Sequence, residues 1–197
     1  MAVPSRASYA VGVVLRVLAV LLGLTIGCST THPHAEETAR SGRPVLSYGY
    51  ALLHEMVRTQ RFADKILLVK SESDAVKHIV GRIADHAADD KTRLEQIAKD
   101  YPAIRIDSDV LPEVQVAMLH SLEKEQVKDV LSKSGKDFER TLVIVLVGFV
   151  QQERHLARAM VEAETDANRR RFWTDTQRRF DAEYADALGL LERRYFR

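Results

Sequence analysis

After Pro112 the chain continues to its last residue, Arg197, without another proline. Proline ends or kinks a helix from within, because it lacks the backbone N–H and its ring collides with the preceding turn. A long stretch without it, in a chain with only nine glycines, favours long helices joined by short breaks. The other prolines stand at 4, 33, 44 and 102, ahead of or between the apolar-periodic segments. The expected fold class is therefore all-α.

The apolar spacing divides the chain into helices. The first is expected from about Val45 to Val69, its core face built from Leu52, Met56, Thr59, Ala63 and Ile66, with Leu53, Phe62, Leu67 and Val69 on the flanks. Ser71-Glu72-Ser73-Asp74 then supplies capping residues, with Ser71 and Asp74 at the spacing of a capping box. A second helix runs to about Asp100 on the seam Val76, Val80, Ile83, Ala87, Asp90, Leu94, Ile97 and Tyr101. Pro102 stops it, and Ser108 or Asp109 can cap the next helix. Pro112 to about Leu131, with Pro112 in the first turn, has thin apolar content and reads as a peripheral crossover helix. Ala167 to Tyr195 carries Trp173, Thr176, Phe180, Tyr184, Ala187 or Leu188, and Leu191 on one side.

The segment Thr141 to Val150 (TLVIVLVGFV) is rich in β-branched residues and by propensity alone resembles a strand. Helical spacing through Leu142, Val145, Phe149, Gln152, Leu156 and Met160, and the lack of any partner strand, make it part of a helix from Phe138 to Ala163 buried on most sides. Ser134 to Asp137 breaks the chain before it.

The N-terminus has a different character. Met1 to Arg16 holds two arginines and no acid, and Val17 to Ile26 is an apolar run ending at Gly27 and Cys28, the only cysteine. This is the pattern of a lipoprotein signal peptide over residues 1–27, with Cys28 as the lipidated first residue of the mature chain. Thr25 stands where such signals usually carry leucine. The alternative, an uncleaved anchor from Tyr9 to Ile26, would hold Arg16 within the membrane at a cost of about 3 kcal/mol. Residues 28–44 are expected as lipidated cysteine and flexible tether, and 45–197 as the helical domain. His32 and His34 in that tether are read as solvated.

The formal charge is +1. Without Arg6 and Arg16 the mature chain has 27 basic against 28 acidic residues, so it offers no basic field for nucleic acid. One cysteine allows no internal disulfide. No glycine-rich phosphate loop or nucleophile elbow occurs.

Two segments carry a resemblance. Asp74 to Ala98 (DAVKHIVGRIADHAADDKTRLEQIA) and Ser134 to Met160 (SGKDFERTLVIVLVGFVQQERHLARAM) resemble a bacterial ferritin-like domain family of unknown function, whose members are often described as predicted outer membrane proteins. The similarity spans roughly Tyr48 to Leu191, with Asp85-His86 and the Ser-Gly-x-Asp-Phe of 134–138 as its most specific pieces. It implies a ferritin-like four-helix up-down bundle with an extra crossover helix, and export to the envelope, without a settled activity. The family tends to carry a second Asp-His on the next long helix; Phe149-Val150 stands there in this chain.

A ferritin-type di-iron centre needs a Glu from two helices and Glu-x-x-His from two others, and no Glu-x-x-His occurs in this sequence. The residues that could form a degenerate metal site are Glu55, His86, Asp90 and Glu153, with Gln152 as a neutral neighbour. Asp90 is an anomaly in an apolar seam, where a carboxylate must be paired, hydrated or displaced; either the centre of this helix is splayed or end-exposed there, or an Arg or Lys from a facing helix satisfies it. The leading expectation is a non-enzymatic envelope lipoprotein without cofactor. Its partners would be the membrane, through lipid on Cys28, and an envelope protein or cell-wall component; Ser29 after the cysteine favours the outer membrane. The alternative is a metal-binding ferritin-like protein.

Overall fold

The computed structural model describes residues 35–61, 63–66 and 73–196, with side chains from Val45 onward apart from Asp64 and Ile66. Residues 1–27, expected as a signal peptide, Cys28 and the first part of the expected tether lie outside the described residues, as do Phe62, Leu67, Val69 and Ser71. Glu37–Arg197 form one compact unit.

Every regular element among the described residues is helical: α1 (Ala35–Gln60), α2 (Ala63–Ile66), α3 (Asp74–Asp100), α4 (Glu113–Ser132), α5 (Gly135–Ala163) and α6 (Ala167–Tyr195), with a 3-10 turn at Ser108–Val110. No helix among them is long and apolar enough to cross a membrane. Thr141 to Val150 is helical, as its periodicity requires.

Contacts fix the direction of the four long helices. Ser47 on α1 donates to the Ala103 carbonyl beyond α3 (3.3 Å) and His54 faces Glu95 (3.9 Å), so α1 and α3 are antiparallel. Gly49 lies against Met160, and Ala63 meets Leu142 around a shared cavity, so α5 also runs against α1. Along α3 and α6, Arg82 pairs with Asp186 (2.6 Å), His86 with Glu183, and Asp90 with Arg179. Arg154 with Asp181 (2.9 Å) and Glu139 with Arg194 (3.2 Å) tie α5 to α6. The order is thus up, down, down, up, and α4 carries the chain back between the two parallel helices.

The seams follow steps of three and four residues. On α3 it is Val76, Val80, Ile83, Ala87, Asp90 and Leu94, all buried, as expected. On α5 it is Leu142, Leu146, Val150, Glu153, Ala157 and Met160, rotated from the expected line: Gln152 is exposed, and Glu153 takes the core position. The run from Leu142 to Val150 has no polar side chain, so it leaves the phase of the helix open and its packing partners decide it. Within Thr141 to Val150 only Ile144 is exposed, so this run is buried or half-buried on most sides, whereas beyond it Gln151, Gln152 and His155 are exposed. On α1 the buried line is Tyr50, Leu53, Val57 and Gln60, with Leu52 and Thr59 only half-buried. Each large apolar side chain fully buried along these lines contributes about 1.5–3 kcal/mol.

The ends correct several expectations. α1 begins at Ala35 rather than near Val45, so residues 35–44 are not a coil tether. Ala35, Glu36, Glu37, Ala39 and Arg40 include strong helix formers, and acids near the N-terminus suit the helix dipole. Pro44 then removes a single hydrogen bond inside the helix. At its other end α1 stops at Gln60, and α2 adds one separate turn. Ser73, within the expected capping segment, is the N-cap of α3, and its backbone N–H donates to the Glu139 carboxylate of α5. Pro112 caps α4 from the position before its first turn. Gly135 has φ +54°, a left-handed geometry that suits glycine and turns the chain sharply from α4 into α5. Of the residues in α4 only Val130 is buried, which matches a peripheral crossover.

Candidate functional site

Midway along the bundle the four seams present polar side chains to one another. α3 contributes His86 and Asp90, α5 contributes Glu153, α6 contributes Arg179 and Glu183, and α1 contributes Gln60. Asp90, Glu153 and Glu183 are all buried. Carboxylates in such a place are costly unless hydrogen-bonded or neutralised.

Two of them meet basic side chains of the chain itself. Arg179 Nη2 donates to Asp90 Oδ2, and His86 Nδ1 lies against Glu183 Oε1. Burial pushes the Asp90 pKa up, and Arg179 offsets this only in part. Glu183 is raised for the same reason, with His86 opposing and Asp90 adding its own repulsion. Asp90 Oδ1 and Arg179 Nε have no hydrogen-bond partner among the described residues.

Glu153 differs. It is 0% exposed, and neither carboxylate oxygen has a hydrogen-bond partner among the described residues. Burial raises its pKa well above the ordinary value, and the charges of Glu183 and Asp90 push it further. The Gln60 amide faces it from α1, close enough to favour the ionised form somewhat, without closing a hydrogen bond. The environment therefore favours the neutral acid, the form a dry interior tolerates.

The four residues proposed from sequence are thus divided. His86, Asp90 and Glu153 share this interior cluster. Glu55 stands apart: it holds Arg58 (2.7 and 3.2 Å) and faces His120 of α4 (3.1 Å), and Arg58 lowers its pKa against the effect of burial. Among the described residues no three His, Cys, Asp or Glu side chains are grouped to hold a metal ion. The expected partner of Asp90, a cation from a facing helix, is Arg179.

The cluster members not foreseen are Gln60, Arg179 and Glu183. Glu183 could have been found: Thr176, Phe180, Glu183 and Ala187 form a buried three-and-four series, which the choice of Tyr184 as the next seam position hid. Arg179 lies one residue off that seam and reaches into it by its length.

Buried acids at the bundle ends are satisfied differently. Glu164 accepts from Arg169 through both oxygens (2.9 Å each), from Tyr50 (3.0 Å) and from the Asp166 backbone (3.0 Å). Burial alone would raise its pKa, and these donors together lower it. Beside it, Trp173 packs edge-on to Tyr50 and Phe172, at ring separations of 5.0 and 5.2 Å. Glu139 at the other end is likewise lowered against burial by Tyr195, Ser73 and Arg194. Burial and the Glu139 carboxylate raise Tyr195 in turn to about 12.

Comparison with protein-family models, with curated proteins and with solved structures finds no match to this chain.

Proposed function

We propose that this chain is a cell-envelope lipoprotein: a ferritin-like helical bundle tethered to a membrane through lipid on Cys28, acting through envelope contacts and catalysing no reaction. The up, down, down, up order with α4 as crossover supports the ferritin-like part of this reading, and agrees with the resemblance of the Asp85-His86 and 134–138 segments. The N-terminal pattern of arginines, apolar run, Gly27 and Cys28 supports export and lipidation.

One observation carries the non-enzymatic reading. Where a ferritin-like bundle would collect carboxylates and histidines around metal, this chain inserts its own cation: Arg179 engages Asp90, while Glu183 faces His86. A guanidinium cannot be deprotonated in a protein and donates only, so it competes for the Asp90 oxygens a metal would need. Glu55, a candidate ligand from α1, is held elsewhere by Arg58 and His120. The residues do not fit a resident metal, and the paired residues of the cluster are read as a structural lock between α3 and α6.

Metabolic labelling with a fatty acid tests the address. Label is expected on the wild type and absent from Cys28→Ser; label that persists in the variant overturns lipidation at Cys28. Capture of envelope neighbours by crosslinking to the anchored protein identifies the contact through which it acts.

A further inference from the structure

The crossover helix is attached more thinly than the helices it joins. Of the 20 residues of α4 only Val130 is buried, while Val114, Met118, Val127 and Leu131 are exposed. Its N-terminal half is held to α1 by Tyr48, which donates to Gln115, and by His120 facing Glu55 at 3.1 Å, with Val116, Leu119 and Leu122 half-buried. Under its C-terminal half a cavity of about 210 Å³ lies between Val127 and Val130 of α4 and Leu142, Leu146 and Phe149 of α5. A second, more open space of about 450 Å³ is lined by Leu122 and Asp129 of α4 and Val145 of α5. Side chains facing unfilled space forfeit their dispersion contacts. Gln126, on the edge of both, has a buried carbonyl oxygen without a partner among the described residues, which weakens the attachment further.

The four long helices hold one another without this element. Ser47 with the Ala103 carbonyl, Asp90 with Arg179, Arg154 with Asp181 and Glu139 with Arg194 are all ties among α1, α3, α5, α6 and the turn after α3. Both connections of α4 can absorb a movement. Lys133 and Ser134 join it to α5 in extended backbone ahead of Gly135 at φ +54°, and residues 101–112 contain only a 3-10 turn. We propose that α4 is a strap that opens as one unit while α1, α3, α5 and α6 stay folded, uncovering the apolar wall of α5 from Leu142 to Phe149. A helix draws most of its stability from tertiary packing, and α4 gives up only one buried valine, a few half-buried side chains and two hydrogen bonds when it lifts. Segments with so few buried apolar contacts are those that open below the global unfolding free energy. The strap is separate from the interior acid cluster and does not depend on the assignment of the lipid anchor.

The test is native-state hydrogen exchange, read by mass spectrometry, on the full chain in detergent micelles at urea concentrations below the unfolding transition. Peptides from 113–132 are expected to exchange as one group, with a urea dependence of their own and at least about a hundredfold faster than the slowest peptides of α3, α5 and α6. Gln126→Leu removes the unpartnered oxygen and adds apolar contact, and should slow the whole group about tenfold, its N-terminal half included. Asp90→Asn loosens the four-helix core at contacts that survive when the strap lifts. It should therefore speed the slowest peptides of α3 and α6 and leave the α4 group unchanged; Tyr50→Phe serves the same purpose if that variant fails to fold. Exchange of α4 only together with the other helices would overturn the proposal, as would core variants that speed α4 and α3 equally. So would fraying that runs inward from each end of α4 without urea dependence.

Discussion

Glu153 and Glu164 are the same amino acid, on or next to the same helix, and both are 0% exposed. Their acidities are pushed in opposite directions: Glu153 upward and Glu164 downward. Depth is therefore not what decides the charge of a buried carboxyl. Glu164 has a bidentate arginine, a tyrosine hydroxyl and a backbone N–H, whereas Glu153 has two other acids as neighbours and no hydrogen bond from a described residue. The bundle end binds its acid as an anion, and the bundle centre holds one best as a neutral group.

The largest expected effect comes from the end. Glu164→Gln removes the bidentate anion from Arg169 and weakens the hydrogen bonds around it, and should destabilise by about 3 kcal/mol in urea unfolding, because it leaves a half-buried cation with only Asp166 at 4.0 Å as counter-ion. A loss below about 1 kcal/mol would mean that the ion pair is not what holds this end. Because its folded pKa is lowered, the Glu164 contribution is present above the unfolded value of about 4.5 and is lost as pH falls through the folded value.

Asp90→Asn should cost about 2 kcal/mol, since Arg179 then lacks its counter-ion in the interior. Tyr50→Phe removes one donor of the several on Glu164 and keeps the ring against Trp173; about 1 kcal/mol is expected. Thermal unfolding at fixed pH reads both.

Glu153→Gln should have the smallest effect and the opposite sign, a gain within about 1 kcal/mol at neutral pH. The raised folded pKa of Glu153 favours folding most below about 4.5, and this advantage is lost as pH rises through the folded value. The variant should flatten that part of the stability profile. A variant that is strongly destabilised, or that retains the full pH dependence, would remove the contrast between centre and end.

The helices were legible because their period is long and uninterrupted: the α3 seam is the expected one down to Asp90. The α5 seam was displaced because consecutive apolar residues fit several helical phases, and only contact with α1 and α6 selects Glu153 over Gln152. Of the cluster, His86, Asp90 and Glu153 could be nominated by their chemistry. Glu55 could not be separated from them, since its side chain is drawn away by Arg58 and by His120, a residue 65 positions distant. Arg179 stayed hidden because an arginine beside a seam is ordinarily a solvated residue. The early start of α1 was masked by Gly42 and Pro44, which mark turns more often than helix interiors.

The central claim is that the interior acids are accommodated by the chain itself rather than by metal, Asp90 against Arg179, Glu183 against His86 and Glu153 as a neutral acid. Metal analysis of the full-length protein, purified from membranes without chelator, tests this most directly. Iron, zinc, manganese and copper at background levels are predicted. About one or two equivalents of any of them per chain, lost on Asp90→Asn or Glu153→Gln, would contradict it.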